Sequence, residues 1–412
     1  MKKKYLYFQP EYVGKFKCDG SKCNARCCKN WSIFIDKKSY QKYPPEVTAH
    51  MKFNSERDKY LMIMTGKNFC PLLTEDNLCC LQRDYGEDFL SQTCATYPRL
   101  TFDFGNFFER SLTLTCPLAA ELVLFQEEPM QFEYVEVPEK IHSNGGKIQF
   151  GAVQTLDGFA ELMLEIQIAQ ISILQERTLS IDQRLIMLGF FLDKLDELKS
   201  KEVFTEAEAV NLIRDLKNLI AVYESKMFLH EQVPRMIQIV AFDVRKFIGL
   251  MLNLLESFYG DRGVKLTKED GKILDAVVET LEIKPDENNY VSLSKIAAKY
   301  ERLAVARKKF FEKYSAFLEN YLVNELFINV YPWRLKESLA KNYAVFVTSY
   351  KIFELIFFSA TRGGFESKTD LLKIVDLFER QFYHTSFFTD KILAHFKDIE
   401  DVFPIMESLL EK

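Results

Sequence analysis

The sequence predicts a mainly α protein: a loop-rich, metal-organised cysteine-cluster domain of short helices and little strand, packed on a C-terminal α-helical bundle. Three observations predict it. All nine cysteines of the 412-residue chain fall between Cys18 and Cys116. Residues 1–130 are broken by Cys, Pro, Asn and Gly into short apolar pieces such as WSIFID and LTFDF, the texture of turns and brief strands. From about residue 157 onward apolar residues recur three and four apart, which places them on one face of a helix.

The domains follow from these textures. Residues 1–130 form the cysteine-cluster domain, and residues 131–156, with Pro138 and Gly145-Gly146, read as a connecting segment. Residues 157–412 form the helical domain. Its first run is LDGFAELMLEIQIAQISILQER. In SIDQRLIMLGFFLDKLDEL, Ser180 is placed to cap a helix, with Gln183 completing a capping box. A third helix starts from Thr205, with acids in its first turn that suit the helix dipole. Periodic runs follow at 230–258, 268–281, 292–329, 336–360, 369–384 and 388–398, separated by YGDRG, KPDENN, VYPW and TRGG. Seven to nine helices are expected.

Composition bounds the function. The net charge of −5 argues against a general nucleic-acid binder. The first fifty residues nevertheless hold eleven Lys and Arg against four Asp and Glu, a local +7, so the remainder carries −12. A basic head suits an acidic partner or peripheral attachment to membrane head groups, and is more often a solvated face. No secretory leader is read at the N-terminus. The most apolar run, YAVFVTSYKIFELIFFSA, is broken by Lys351 and Glu354 and reads as a buried helix, not a membrane span. The expected location is the cytoplasm. The oligomeric state is not legible.

Crowding of the thiols is not chance, since nine free placements would fall so early in roughly one chain in 10^5. A reducing compartment and the odd count disfavour disulfides. Structural zinc and an iron–sulfur cluster remain. The spacings are Cys18-x4-Cys23-x3-Cys27-Cys28, then Cys70-x8-Cys79-Cys80, then Cys94 and Cys116. Thiolates are soft donors that suit either centre. No CxxC knuckle occurs, which counts against a zinc ribbon. Adjacent side chains diverge, so Cys27-Cys28 suits more than one mononuclear site. Cys70-Pro71 and Cys116-Pro117 repeat the Cys-Pro ending of ferredoxin ligand runs. Lys15, Lys17, Lys22, Arg26 and Lys29 surround the first group, and cations favour the metal-binding thiolate.

These stretches carry a resemblance. FKCDGSKCNARCCKNWSIFID, FCPLLTEDNLCCLQRDYGEDFLSQTCATYPR and RSLTLTCPLAAELVL are similar to the flagellin lysine-N-methylase family, which overlaps with the broader cysteine-cluster proteins named for zinc or iron chelation. RTLSIDQRLIMLGFFLDKL and ENYLVNELFINVYPW resemble that family's helical half. The resemblance implies S-adenosylmethionine-dependent methylation of flagellin lysine ε-amines, with a [4Fe–4S] cluster on the cysteines. The matching positions are Cys18, Cys23, Cys27, Cys28, Cys70, Cys79, Cys94 and Cys116; Cys80 falls at a variable position and is a spectator. Eight thiols exceed the four that one cluster needs, so one centre or two are both open. The alternative is a non-catalytic zinc- or iron-chelating or electron-transfer protein.

Methyl transfer needs a neutral amine, so a lysine of ordinary pKa about 10.4 must lose its proton first. No glycine-rich strand–turn–helix for the donor is present. Arg99, in TCATYPR, is the candidate to hold the donor's carboxylate by a bidentate contact, with a structural salt bridge the equal alternative. Trp31 and Asp36 read as a wall and an anchor beside the cluster, or as a packed aromatic and a turn acid. Glu109 in FFERSL reads as a candidate base or, more commonly, an exposed acid. Glu319, Asn320, Asn324 and Glu325 form a polar cluster on an apolar helix, which reads as a pocket facing the cysteine domain or, more commonly, as capping and solvent exposure. The five histidines are scattered and none is expected to bind metal.

Overall fold

A computed structural model of the chain describes residues 4–411 except 21–22, 24, 30, 139–140, 142, 149–158, 200–205, 226–227, 261–265, 288–289, 334, 336, 384–385 and 400. The chain divides into two compact units: Met1–Val123 with Met130–Gln149, and Leu124–Pro129 with Phe150–Lys412.

The first unit is built of short strands, short helices and loops, as its broken sequence suggests. β1 (Tyr5–Pro10), β5 (Arg99–Asp103), β6 (Phe108–Leu112), β7 (Phe132–Val137) and β8 (Gly146–Lys147) form one sheet, ordered β7-β1-β6-β5-β8. β1 pairs antiparallel with β7 and parallel with β6, and β5 pairs antiparallel with β6. The stretch read from sequence as a connection thus begins with a strand of this sheet. Its centre is aromatic: the Tyr7 and Phe108 rings stack at 4.9 Å and Phe8 stacks on Phe132 at 5.4 Å. Gly145 is obligatory where it touches the sheet, because a Cβ there would lie 2.8 Å from the Phe102 ring. β2 (Phe34–Ile35), β3 (Met51–Asn54) and β4 (Lys59–Met62) form a second, antiparallel sheet, ordered β2-β4-β3.

The second unit is helical. Its described residues form twelve α-helices, from Phe159–Leu174 to Phe403–Glu407, where periodicity predicts seven to nine. Local caps account for part of the excess. The expected 230–258 run breaks before Val244–Gly260, because Asp243 accepts the amides of Arg245 and Lys246 and starts a new helix. The 292–329 run splits at Leu303 into Leu293–Arg302 and Ala304–Ile328. The Ser180–Gln183 capping box forms as expected: Gln183 N–H donates to Ser180 Oγ at 3.2 Å and Ser180 N–H to Gln183 Oε1 at 2.9 Å. Thr205 lies outside the described residues.

Leu339–Arg362 is the core of this unit. It is long and apolar enough to cross a membrane, yet it is buried against the helices 181–199, 268–280 and 304–328. A helix apolar all round demands such a place. Phe353 stacks on Tyr321 at 3.9 Å and Phe357 on Phe317 at 4.9 Å. The Lys351 ammonium is buried but paired, at 3.0 Å from Asp182 and 2.8 Å from Glu354.

Candidate metal centre

Three separate stretches bring five thiols together. Cys27 and Cys28 lie on one 3₁₀ turn, Arg26–Cys28, entered through Ala25 at φ 46°. The turn sets their Sγ atoms 3.8 Å apart. An antiparallel bridge joins Lys29 to Phe69, and Cys70 N–H donates to the Cys28 carbonyl at 2.7 Å. Thr74 Oγ1 and Leu78 then close a tight loop, with Asn77 at φ 60°. A bridge from Leu73 to Cys79 folds the chain back. Cys94 arrives on the Gln92–Thr96 helix, whose Ser91 cap accepts its amide at 3.3 Å. Asp36 accepts Gln92 N–H at 3.0 Å, and Thr93 Oγ1 donates to the Phe34 carbonyl at 2.6 Å, so β2 holds that helix in place. These five thiols and Cys80 line one apolar core with Ala25, Ile33, Ile35, Leu72 and Leu81.

The thiols feel one another. Cys28 meets Cys27 at 3.8 Å, and its two neighbours Cys27 and Cys70, together with burial, push its proton affinity up. Cys27 and Cys70, as the accepting sulfurs, are pulled below the ordinary thiol range by Cys28. Burial pushes Cys94 up to about 12, and the neighbouring Cys79, Cys70 and Cys27 add to the effect. Burial also raises Cys79, with Cys70 contributing.

Cys18, Cys23 and Cys116 make a second group. Cys116 is pushed up to about 11 by burial and by Cys23 and Cys18, while the amides of Ala119 and Leu118 at the start of the Pro117–Leu124 helix pull it down. Cys18, an exposed residue, is raised by desolvation and by Cys23 and Cys27. All eight sulfurs singled out from the sequence belong to one unit. Among the described residues, no three His, Cys, Asp or Glu side chains converge at metal-ligand distance. The donor set suits a soft metal, since buried sulfurs packed together in apolar surroundings ionise only against a compensating cation. Cys80 begins the Cys80–Tyr85 helix and is raised by burial and Asp84.

The flanking residues take definite positions. Trp31 Nε1 donates to the Cys27 carbonyl at 2.8 Å and pins the turn. Asp36 is a helix cap: it accepts Ser39 N–H at 2.9 Å, besides Gln92 N–H. Arg99 starts β5 and lies over the Phe16 ring at 5.1 Å, donating Nη2 to the Phe16 carbonyl at 3.3 Å. Glu109 corrects its sequence reading. It is 2% exposed, because β6 has Phe8 on one side and Phe102 on the other, and burial raises its carboxyl well above the ordinary range. Both faces of β6 are buried, so alternation in FFERSL shows no wet side. Sequence reading also missed the chain from Arg110 through Gln9 to Glu133, at 2.8 Å for each link. An Arg on one strand and a Gln on another leave no local signal.

In the helical unit, the polar residues of ENYLVNEL are buried and held. Glu319 lies between Arg177 at 2.9 Å and Arg184 at 2.8 Å. Asn320 Nδ2 donates to the Gln126 carbonyl at 2.8 Å, and Glu325 accepts from Asn329 at 2.9 Å. Asn324 is fully buried.

Known proteins supply a comparison. Residues 167–410 match the model of the FliB lysine N-methylase C-terminal domain. The flagellar biosynthetic protein FliU of Salmonella muenchen is 31% identical over 133 residues, covering 30% of this chain and 79% of that protein. Lysine-N-methylases of Salmonella typhimurium and Salmonella choleraesuis are 32% and 31% identical over 133 residues, again 30% of this chain. The match spans only 33% of either methylase. No solved structure matches.

Proposed function

Because the chain belongs to the FliB lysine N-methylase family, we propose that it methylates lysine ε-amines of flagellin in the cytoplasm, with S-adenosylmethionine as donor and an iron–sulfur cluster of the [4Fe–4S] type in its N-terminal unit. Cys27, Cys28 and Cys70, with Cys79 or Cys94, are the residues to hold that cluster. Cys18, Cys23 and Cys116 are left for a second metal. The cluster, when bound, supplies an iron able to accept small-molecule ligands. The protein's own groups do the rest. Trp31 and the Ser91 cap fix the loops that carry Cys27 and Cys94. Arg99 spends one nitrogen on Phe16, and its other donors are the ones offered to the donor's carboxylate. The amine must be neutral before it attacks, and desolvation in an apolar site favours that form.

The observation that carries this reading is the family match over residues 167–410. Anaerobically purified protein, incubated with flagellin and S-adenosylmethionine, should yield methyl-lysine by mass spectrometry. Iron-replete protein that yields none sinks the reading. One observation favours a second reading: the thiols lie in a unit with its own apolar core. Such a unit would bind zinc or iron, or pass electrons, whether or not methyl transfer occurs. Metal-loaded protein without transferase activity is its signature.

A further inference from the structure

The three-stranded sheet of the first unit has one face packed on the thiol-bearing core and one outer face, on which Phe34 and Leu61 are half-buried. Register decides which residues share each. Ile35 lies opposite Tyr60, Tyr60 opposite Phe53, and Met51 opposite Met62; Ile35, Tyr60, Met51 and Met62 meet the apolar core beside the thiols, while Phe53 at the edge is 51% exposed. On the other face Phe34, Leu61 and Lys52 form one cross-strand row, with Lys59 opposite Asn54 in the next. Ile63 continues the alternation past the end of β4 and is 48% exposed. The Arg57 guanidinium lies over the Phe34 ring at 4.6 Å.

This outer face therefore mixes Phe34, Leu61 and Ile63 with three cations. Lys37, over the Phe53 ring on the opposite face, is already matched by Asp58 at 2.6 Å. Among the described residues, Lys52, Arg57 and Lys59 have no carboxylate partner. β3 is also an edge strand, since it pairs with β4 alone. An unpaired edge offers backbone donors and acceptors to an added strand. β2, at the far edge, is instead tied to Thr93, the neighbour of Cys94.

We propose that this face docks an extended, acid-rich segment of the protein substrate. The segment's backbone pairs with β3, its apolar side chains cover Phe34, Leu61 and Ile63, and its carboxylates meet Lys52, Arg57 and Lys59. The charge complementarity and the open edge select a polypeptide, because a lipid surface has no backbone to pair. Only the identification of the partner as substrate rests on the methylase reading.

The test uses the full chain, prepared anaerobically, and a fluorescein-labelled peptide that alternates Glu with Val. Its counterpart replaces every Glu with Lys. The acidic peptide is expected to bind, more weakly as salt rises, and the basic one not to bind. The charge reversal Lys52→Glu/Arg57→Glu/Lys59→Glu should weaken binding roughly tenfold or more. If it fails to fold by circular dichroism, Lys52→Gln/Arg57→Gln/Lys59→Gln takes its place. Hydrogen exchange at the amides of β3 should slow when the peptide is bound. Unchanged affinity in the variants, unchanged exchange along β3, or wild-type protein that ignores the peptide but sediments with phosphatidylserine vesicles would each overturn the proposal. Methylation of a short neutral lysine peptide is expected to be unaffected by these substitutions. Its absence in the wild type would strike the methylase reading and leave the docking result standing.

Discussion

Cys70 donates its backbone N–H to the carbonyl oxygen of Cys28 at 2.7 Å. That one bond ties two thiol-bearing loops, forty-two positions apart in the chain, before any metal is considered. It makes the gathering of sulfurs a property of the polypeptide.

The first prediction follows from that grouping. Single Ser replacements of Cys27, Cys28 or Cys70 are expected to lower the iron and sulfide content of anaerobically purified protein severely, while Cys80→Ser keeps it. Cys80 lies at the start of a helix and feels Asp84. Metal and sulfide analysis checks this, with circular dichroism as the control for folding. Equal losses in all four variants would contradict the grouping.

The helical unit contains a close approach that only glycine permits. A Cβ on Gly189 would sit 2.6 Å from the Tyr343 hydroxyl, and that hydroxyl donates to the Leu185 carbonyl at 2.8 Å. Gly189→Ala must move a buried ring, and should destabilise by about 1–3 kcal/mol, as overpacked cores do. Urea unfolding followed by circular dichroism measures it.

Glu319→Ala removes the carboxylate that neutralises Arg184, a side chain only 5% exposed. An uncompensated buried guanidinium should cost about 3–5 kcal/mol. Glu319→Gln, which retains an acceptor oxygen, should lose less. Thermal melting of both variants ranks them.

A pH effect is expected at Glu407. Burial pushes its carboxyl up to about 7, with Asp193 and Asp401 adding to the shift from 4.5. Between those limits the folded chain keeps a proton that the unfolded chain has released. Its contribution to stability is therefore full in acid and lost as pH rises through about 7. Glu407→Gln should melt higher than the wild type above neutrality and no higher near pH 4. Melting curves across that range give the answer.

Much of the helical unit was legible because its apolar residues repeat at the helical period. The Ser180–Gln183 box needed only four residues of sequence. The break before Val244 was harder: apolar residues continue through it, and Asp243 announces it only as a cap. The cysteines were legible as a set and not as groups. Cys27 meets Cys70 through the Lys29–Phe69 bridge, and Cys94 meets them through Asp36 and Phe34. Those are long-range pairings that no spacing encodes. Glu109 misled because a carboxylate on a strand implies a wet face, and β6 has none.

The pairing of β1 with β7 sets an order of assembly. Tyr5–Pro10 leaves the ribosome well before its antiparallel neighbour Phe132–Val137 is made. Every cysteine is translated in the interval between them. The thiols therefore lie on a loop that stays open at one end until β7 is made. The sheet that closes the first unit is thus completed only after the whole cysteine set has been made.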